Sequence, residues 1–192
     1  MIFLAISFFI CTSVHAEKKV LKLAHMGWPE FTVQATIVKE VYEKFGYEVE
    51  LVGFFEWGIA FTTIAKGDVD IFSALLNYGN HDYWLRFKDK LEKLGRADNG
   101  LFQGIAVPSY VPVNSIEQLN DYKGRFNKQI IGCEPGSGIM RQTQMVVEAY
   151  GLDYKLLEGS TPAMNASIKS KIDKKEWFIA TMWTPSWMTN KW

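Results

Sequence analysis

The sequence predicts an α/β protein of two lobes, each a mainly parallel sheet covered by helices, with a ligand cleft between them. Three observations predict it. From Val20 onward, short β-rich runs alternate with helix-period segments, the order that yields parallel strands joined by helical crossovers. This alternation runs through the chain twice, and the two halves meet at an apolar strand followed by Pro108 and Pro112. Clusters of glycine, proline and tryptophan follow the strands, where open α/β sheets bind their ligands.

Taken in order, VLKLAHMG (20–27) reads as the first strand and PEFTVQATIVKEVYEKFG (29–46) as a helix. Pro29 suits its first turn, Val33, Ile37/Val38, Val41 and Phe45 form one face, and Gly46 stops it. YEVELVGF (47–54) is the second strand, EWGIAFTTIAKG (56–67) a helix, VDIFSALLN (69–77) the third strand, and HDYWLRFKDKLEKLG (81–95) a charged helix. In the second half FQGIAVPSY (102–110) is a strand, and SIEQ (115–118) has the form of a capping box. QIIGCEPG, SGIMRQTQMVVEAYG, YKLLEGS, TPAMNASIKSKIDKK and WFIATMW then give strand, helix, strand, helix and strand, with Met164, Ile168 and Ile172 in line on the last helix. On this reading lobe I spans 17–105 and lobe II 106–192.

The apolar run that opens the chain ends in Val14-His15-Ala16, with small residues suited to signal peptidase, so residues 1–16 read as a signal peptide of an exported protein. The run contains no Lys or Arg before it, which leaves an uncleaved anchor as the alternative. Without that segment Cys133 is the sole cysteine, so stability must come from a packed core and not from a disulfide. His25 and His81 stand apart from any metal-ligand spacing, and neither a metal nor another cofactor is expected. The 21 basic and 21 acidic residues cancel. That balance argues against nucleic acid or an anionic membrane surface as partner and suits a small neutral or zwitterionic molecule.

Two features carry chemistry. In EPGSGIM, Gly136, Ser137 and Gly138 stand at a strand-to-helix junction, where the backbone N–H groups of Gly138 and Ile139 can receive a carboxylate or phosphate. A plain glycine turn is the alternative, and the Lys-Ser/Thr of a P-loop is absent. The tryptophans are the second feature. A quaternary ammonium has no N–H to donate, so a protein holds it by apolar contact, a nearby carboxylate and aromatic faces, each ring contributing about 0.5–2 kcal/mol. Trp28 and Trp183 both stand at strand ends facing the cleft, one from each lobe, whereas Trp57, Trp84 and Trp177 read as core and Trp187 is open to either role.

Seven separated motifs then share one resemblance: GW followed by an acid at Glu30, KGDVDIF, GIAVPSYV, SIEQLND, IIGCEPGSGIM, YGLDYKLLEGSTPAM and TMWTPSWM. Together they resemble the glycine betaine/choline substrate-binding proteins of ABC transporters over nearly all of the mature chain. The resemblance implies a periplasmic-binding-protein-like fold and an extracytoplasmic receptor, not an enzyme. Such a receptor closes on a compatible solute and delivers it to a permease subunit in the membrane. It implies an aromatic box with Trp183 as the second-lobe wall, and backbone donors at Gly138 and Ile139 for the ligand carboxylate. Choline-binding relatives have GWTD where this chain has GWPE, which makes Trp28 a box candidate and places Glu30 near the cationic head.

Three departures accompany it. Relatives commonly have Trp followed by Pro where this chain has Leu76-Asn77-Tyr78, so Tyr78 is the substitute wall. Some carry a Trp within the glycine motif where Ser137 stands. Relatives also continue past the WTP strand and return to the first lobe, from which the expectation is a C-terminally truncated chain with lobe I incomplete. Ligands in play beside glycine betaine and choline are an amino acid, a sulfonium or an N-oxide. A sensory domain of a larger protein and an enzyme with Glu30 as base are the other readings, the latter without a Ser/His/Asp, Cys/His or paired-carboxylate arrangement at the strand ends.

Overall fold

The structure is a computed structural model that describes residues 20–73, 80–96 and 100–191. The expected signal segment 1–16, Tyr78 with its neighbours Leu76 and Asn77, and Trp192 lie outside the described residues.

Among the described residues the first sheet has three parallel strands in the order β2-β1-β3: β1 (Val20–Met26), β2 (Glu48–Phe54) and β3 (Ile71–Ser73). β1 runs in register with β2 from Val20 opposite Glu48 to Met26 opposite Phe54, and with β3 from Leu23 opposite Ile71 to His25 opposite Ser73. Alternation along a strand sends neighbouring side chains to opposite faces. Accordingly Leu21 and Leu23 pack with Ala35, Val38 and Tyr42 of α1 (Pro29–Lys44), while Met26 packs with Trp57, Ala60 and Phe61 of α2 (Trp57–Lys66). A helix thus covers each face of the sheet.

The face by which α1 packs shares only Val38 with the one its sequence predicts. Val33, Ile37, Val41 and Phe45 are exposed, at 61%, 60%, 47% and 77%, and the contacting row is Phe31, Ala35, Val38 and Tyr42. Both rows follow the i, i+3 or i+4 spacing of a helix stripe, so periodicity alone does not choose between them. The row with Ala35 at its centre lets the backbone approach the sheet, and Ala35 is fully buried. The charged helix also stops early: α3 covers His81–Phe87, a 3₁₀ turn follows over Lys88–Lys90, and Leu91 is extended. Phe87 and Leu91 pack against the Trp57 cluster, whereas the charged residues beyond have no apolar stripe to hold further turns.

Among the described residues the second sheet has four strands in the order β4-β7-β5-β6: β4 (Gln103–Ala106), β5 (Gln129–Ile131), β6 (Lys155–Leu157) and β7 (Ile179–Trp183). β5 is parallel to β6 and β7, and β4 is antiparallel to β7. The boundary expected between 105 and 106 falls inside β4, all four residues of which pair with β7. On one face Ile131 and Ala180 pack with Ile139 and Met140 of α4 (Gly138–Ala149) and with Met164 and Ile168 of α5 (Thr161–Asp173), and Trp183 at the strand end joins the same cluster. On the other, Ile130 and Ile179 pack with Leu119, Phe126, Val147 and Tyr154. The SIEQ segment forms a 3₁₀ helix over Ile116–Tyr122, but its serine makes no side-chain cap. Instead Gln118 Oε1 accepts from the Asn114 N–H at 2.8 Å. Among the described residues no helix is long and apolar enough to cross a membrane.

Candidate functional site

The two lobes meet through the segments that leave β1 and β7. At the first, Gly27 lets the Phe55 ring lie close over the backbone, where a Cβ would come within 2.4 Å of that exposed ring, and its N–H donates to the Phe54 carbonyl at 2.7 Å. Trp28 follows as the N-cap of α1, in extended backbone, and its carbonyl accepts from the Thr32 N–H and hydroxyl at 3.0 and 3.1 Å. The residue is 8% exposed, and its ring packs on Phe31 at 5.7 Å and edge-on to Trp57 at 5.8 Å between centroids. Trp183 is the last residue of β7, and the chain after it is held by a Thr184 N–H bond to the Phe102 carbonyl at 2.9 Å. One tryptophan therefore stands on a rigid aromatic base and the other on a strand end.

Across the cleft the rings of Trp28 and Trp183 stack, with centroids 5.5 Å apart and 28° between planes. The Trp183 indole N–H donates to Glu30 Oε1. The structure thus brings Trp28, Glu30 and Trp183 together although 153 residues separate Glu30 from Trp183. A trimethylammonium held between facing rings needs roughly 8–10 Å between them, since a cation sits within about 6 Å of each centroid. In this conformation the indoles fill that space themselves.

The glycine junction lies beside them, because β5 and β7 are parallel neighbours and end on the same side. Gly136 has φ +75°, the left-handed region that glycine enters freely. Ser137, 2% exposed, is the N-cap of α4, yet its hydroxyl does not cap the helix and lies 3.4 Å from the Cys133 thiol. The first N–H groups of α4, from Gly138 and Ile139, therefore lack a side-chain acceptor from their own cap. Burial pushes the Cys133 thiol up to about 11, with the Ser137 hydrogen bond acting in the opposite sense, so this cysteine is an inert core residue.

Residues that the sequence reading did not single out complete the junction. Arg141 folds back so that Nη1 donates to the Gly136 carbonyl at 2.6 Å, while Nη2 reaches Asp82 of α3 at 3.0 Å and the guanidinium lies 5.1 Å from the Tyr83 ring. Glu56, which precedes α2, comes against Gly136 from the other lobe. No local pattern marks the contacts between lobes, since 59 residues separate Asp82 from Arg141. EGSTP at the end of β6 has a structural role: Ser160 caps α5 through the Ala163 N–H at 3.3 Å, and Glu134 accepts from the N–H and hydroxyl of Thr161, both at 2.7 Å.

The remaining tryptophans divide as follows. Trp57 is 3% exposed in the aromatic cluster under Trp28, and Trp177 packs on Tyr122 and Phe126 beneath the Arg125 guanidinium. Trp84, read as core, is half-buried with the Lys93 ammonium 4.2 Å from its ring. Trp187 opens the short helix α6 (Trp187–Lys191) and is 46% exposed.

Comparison with known proteins places this geometry in a group. Residues 19–192 match the family described as the substrate-binding domain of the ABC-type glycine betaine transport system. A glycine betaine-binding periplasmic protein of Dickeya dadantii is 26% identical over 178 residues, covering 84% of this chain and 53% of its own. Two crystal structures superpose with TM-scores of 0.84: a glycine/betaine/L-proline-binding protein of Borrelia burgdorferi at 31% identity and lactococcal OpuAC closed on glycine betaine at 29%. Each alignment covers 91% of this chain, and 66% and 68% of theirs. The chain spans about half the length of the Dickeya relative.

Proposed function

The chain belongs to the family of substrate-binding domains of ABC-type glycine betaine transport systems, and on that premise we propose that it is the extracytoplasmic solute-binding component of an importer. Its ligand is a quaternary ammonium or methylated-amine solute of the glycine betaine and choline kind, held between the lobes and handed to a permease subunit. The observation that carries this reading is the pairing of Trp28 and Trp183, one from each lobe, with Glu30 on the Trp183 N–H. Family members of this kind bind and release; no group at the junction is assigned a covalent step.

The steps follow from the parts. Parting of the lobes separates the two indoles, and the cationic head enters between their negative faces, where apolar contact and ring electrostatics hold a group that cannot donate a hydrogen bond. Glu30 adds a carboxylate beside that head. The oxygen-bearing end of the solute takes the N–H groups of Gly138 and Ile139, next to Ser137, at the positive end of α4. Closure then re-forms the contacts between lobes around the solute, Arg141 with Asp82 among them. Tyr78 is kept as a further wall by the sequence argument alone.

Calorimetric titration with glycine betaine, choline, proline betaine and trimethylamine N-oxide tests the reading. At least one binds, and Trp183→Ala weakens that ligand by about tenfold to thirtyfold, the loss of one aromatic wall. Absence of binding by all four, or a ligand indifferent to Trp183→Ala, overturns it.

A further inference from the structure

Charge at the cleft does not follow the balance of the whole chain. The segments that leave the strands toward it carry Glu30 after β1, Glu56 after β2, Glu134 after β5 and Glu158 after β6. Glu134 is committed to Thr161, and Glu30 to the Trp183 indole. Glu56 is different. It is the N-cap residue of α2, where its carbonyl accepts from the Ala60 N–H at 3.1 Å; it is exposed, and its side chain makes no hydrogen bond or ion pair among the described residues. Its Oε2 stands 3.9 Å from where a Cβ on Gly136 would be, so a first-lobe carboxylate lies directly against the turn that leads into Gly138 and Ile139. The cation of that turn, Arg141, is already engaged by the Gly136 carbonyl and Asp82.

A ligand carboxylate set on the Gly138 and Ile139 N–H groups would therefore face Glu56 across the turn. A hydroxyl oxygen accepts the same N–H bonds without adding negative charge. The geometry points to Glu56 as a specificity-determining residue, one that turns the cleft toward solutes of net positive charge, such as quaternary ammonium alcohols, and against quaternary ammonium carboxylates. This rests on the quaternary-ammonium reading above and adds the class of solute within it.

Choline and glycine betaine share the trimethylammonium group and differ in the oxygen end, so their ratio isolates the effect. Titration of the native protein should favour choline by about tenfold or more. Glu56→Gln should tighten glycine betaine by about tenfold and leave choline within about threefold, and Glu56→Lys should move the ratio further the same way. Raising the salt to about 1 M should narrow the native ratio, because the carboxylate is exposed to screening. Native protein that binds glycine betaine as tightly as choline, or a ratio unmoved by both variants, overturns the role of Glu56 and leaves the aromatic box standing. Failure of both ligands with every variant overturns the box and this inference together.

Discussion

The two lobes solve the same problem with different materials. The first covers a three-stranded parallel sheet with one helix on each face, and its cleft-side core is a set of rings: Trp28, Phe31, Trp57, Phe61, Phe72 and Tyr83. The second covers a four-stranded mixed sheet, and its cores are mainly aliphatic, with Ile130, Ile168 and Ile179 at 1% exposure or less. The outer row of α1 stays exposed in the first lobe, whereas the apolar rows of α4 and α5 are buried in the second. The difference explains what each offers the cleft. Interlocked rings hold Trp28 as a stiff wall, and a tightly packed helix start holds the Gly138 and Ile139 N–H groups in place.

The largest effect that could break this contrast is in the second core. Ile179→Ala removes a fully buried side chain and should cost about 3 kcal/mol by urea unfolding. A loss below about 1 kcal/mol would show that this lobe is less closely packed than the contacts imply. Next comes pH. The unfolded thiol ionises near about 8.5–9, while folded Cys133 keeps its proton to about 11. The unfolded state therefore binds fewer protons in that window, so stability is intact below about pH 9 and falls by roughly 2–3 kcal/mol toward pH 11. Cys133→Ala should remove that part of the slope, whatever it does to the overall stability.

Smaller effects sharpen the comparison at its seam and on its outer face. A double-mutant cycle with Arg141→Gln and Asp82→Asn should give a coupling of about 0.2–1 kcal/mol, because the side chains are 35% and 61% exposed. A larger coupling would mean that the pair, and not the indole stack, holds the lobes together. Ile37→Ser on the exposed row of α1 should change stability by no more than about 0.5 kcal/mol, measured in the same urea series as Ile179→Ala. A cost of 2 kcal/mol or more there would mean that this row has a partner in solution.

Much was legible before the structure. The alternation of β-rich and helix-period runs, Pro29 at a helix start, and the glycine junction before α4 are local patterns, and each stands where it was read. So do Met164, Ile168 and Ile172 on one face of α5. What misled was also local. Val33, Ile37, Val41 and Phe45 satisfy helix periodicity as well as Phe31, Ala35, Val38 and Tyr42 do, and the charge pattern of 81–95 suggested a longer helix than packing sustains.

By itself the sequence determined the elements and the types of side chain at the strand ends, because these depend on backbone propensity and spacing along one chain. Only the tertiary structure decided that β4 runs antiparallel against β7, that Trp28 stacks on Trp183, that Glu30 takes the indole N–H, and that Arg141 and Glu56 converge on Gly136. Apart from Arg141 and Gly136, five residues apart, those pairs lie tens to more than a hundred residues apart. Such contacts arise from the sheet order β2-β1-β3 facing β4-β7-β5-β6, and strand order is set by the packing of whole layers, which no window of residues contains.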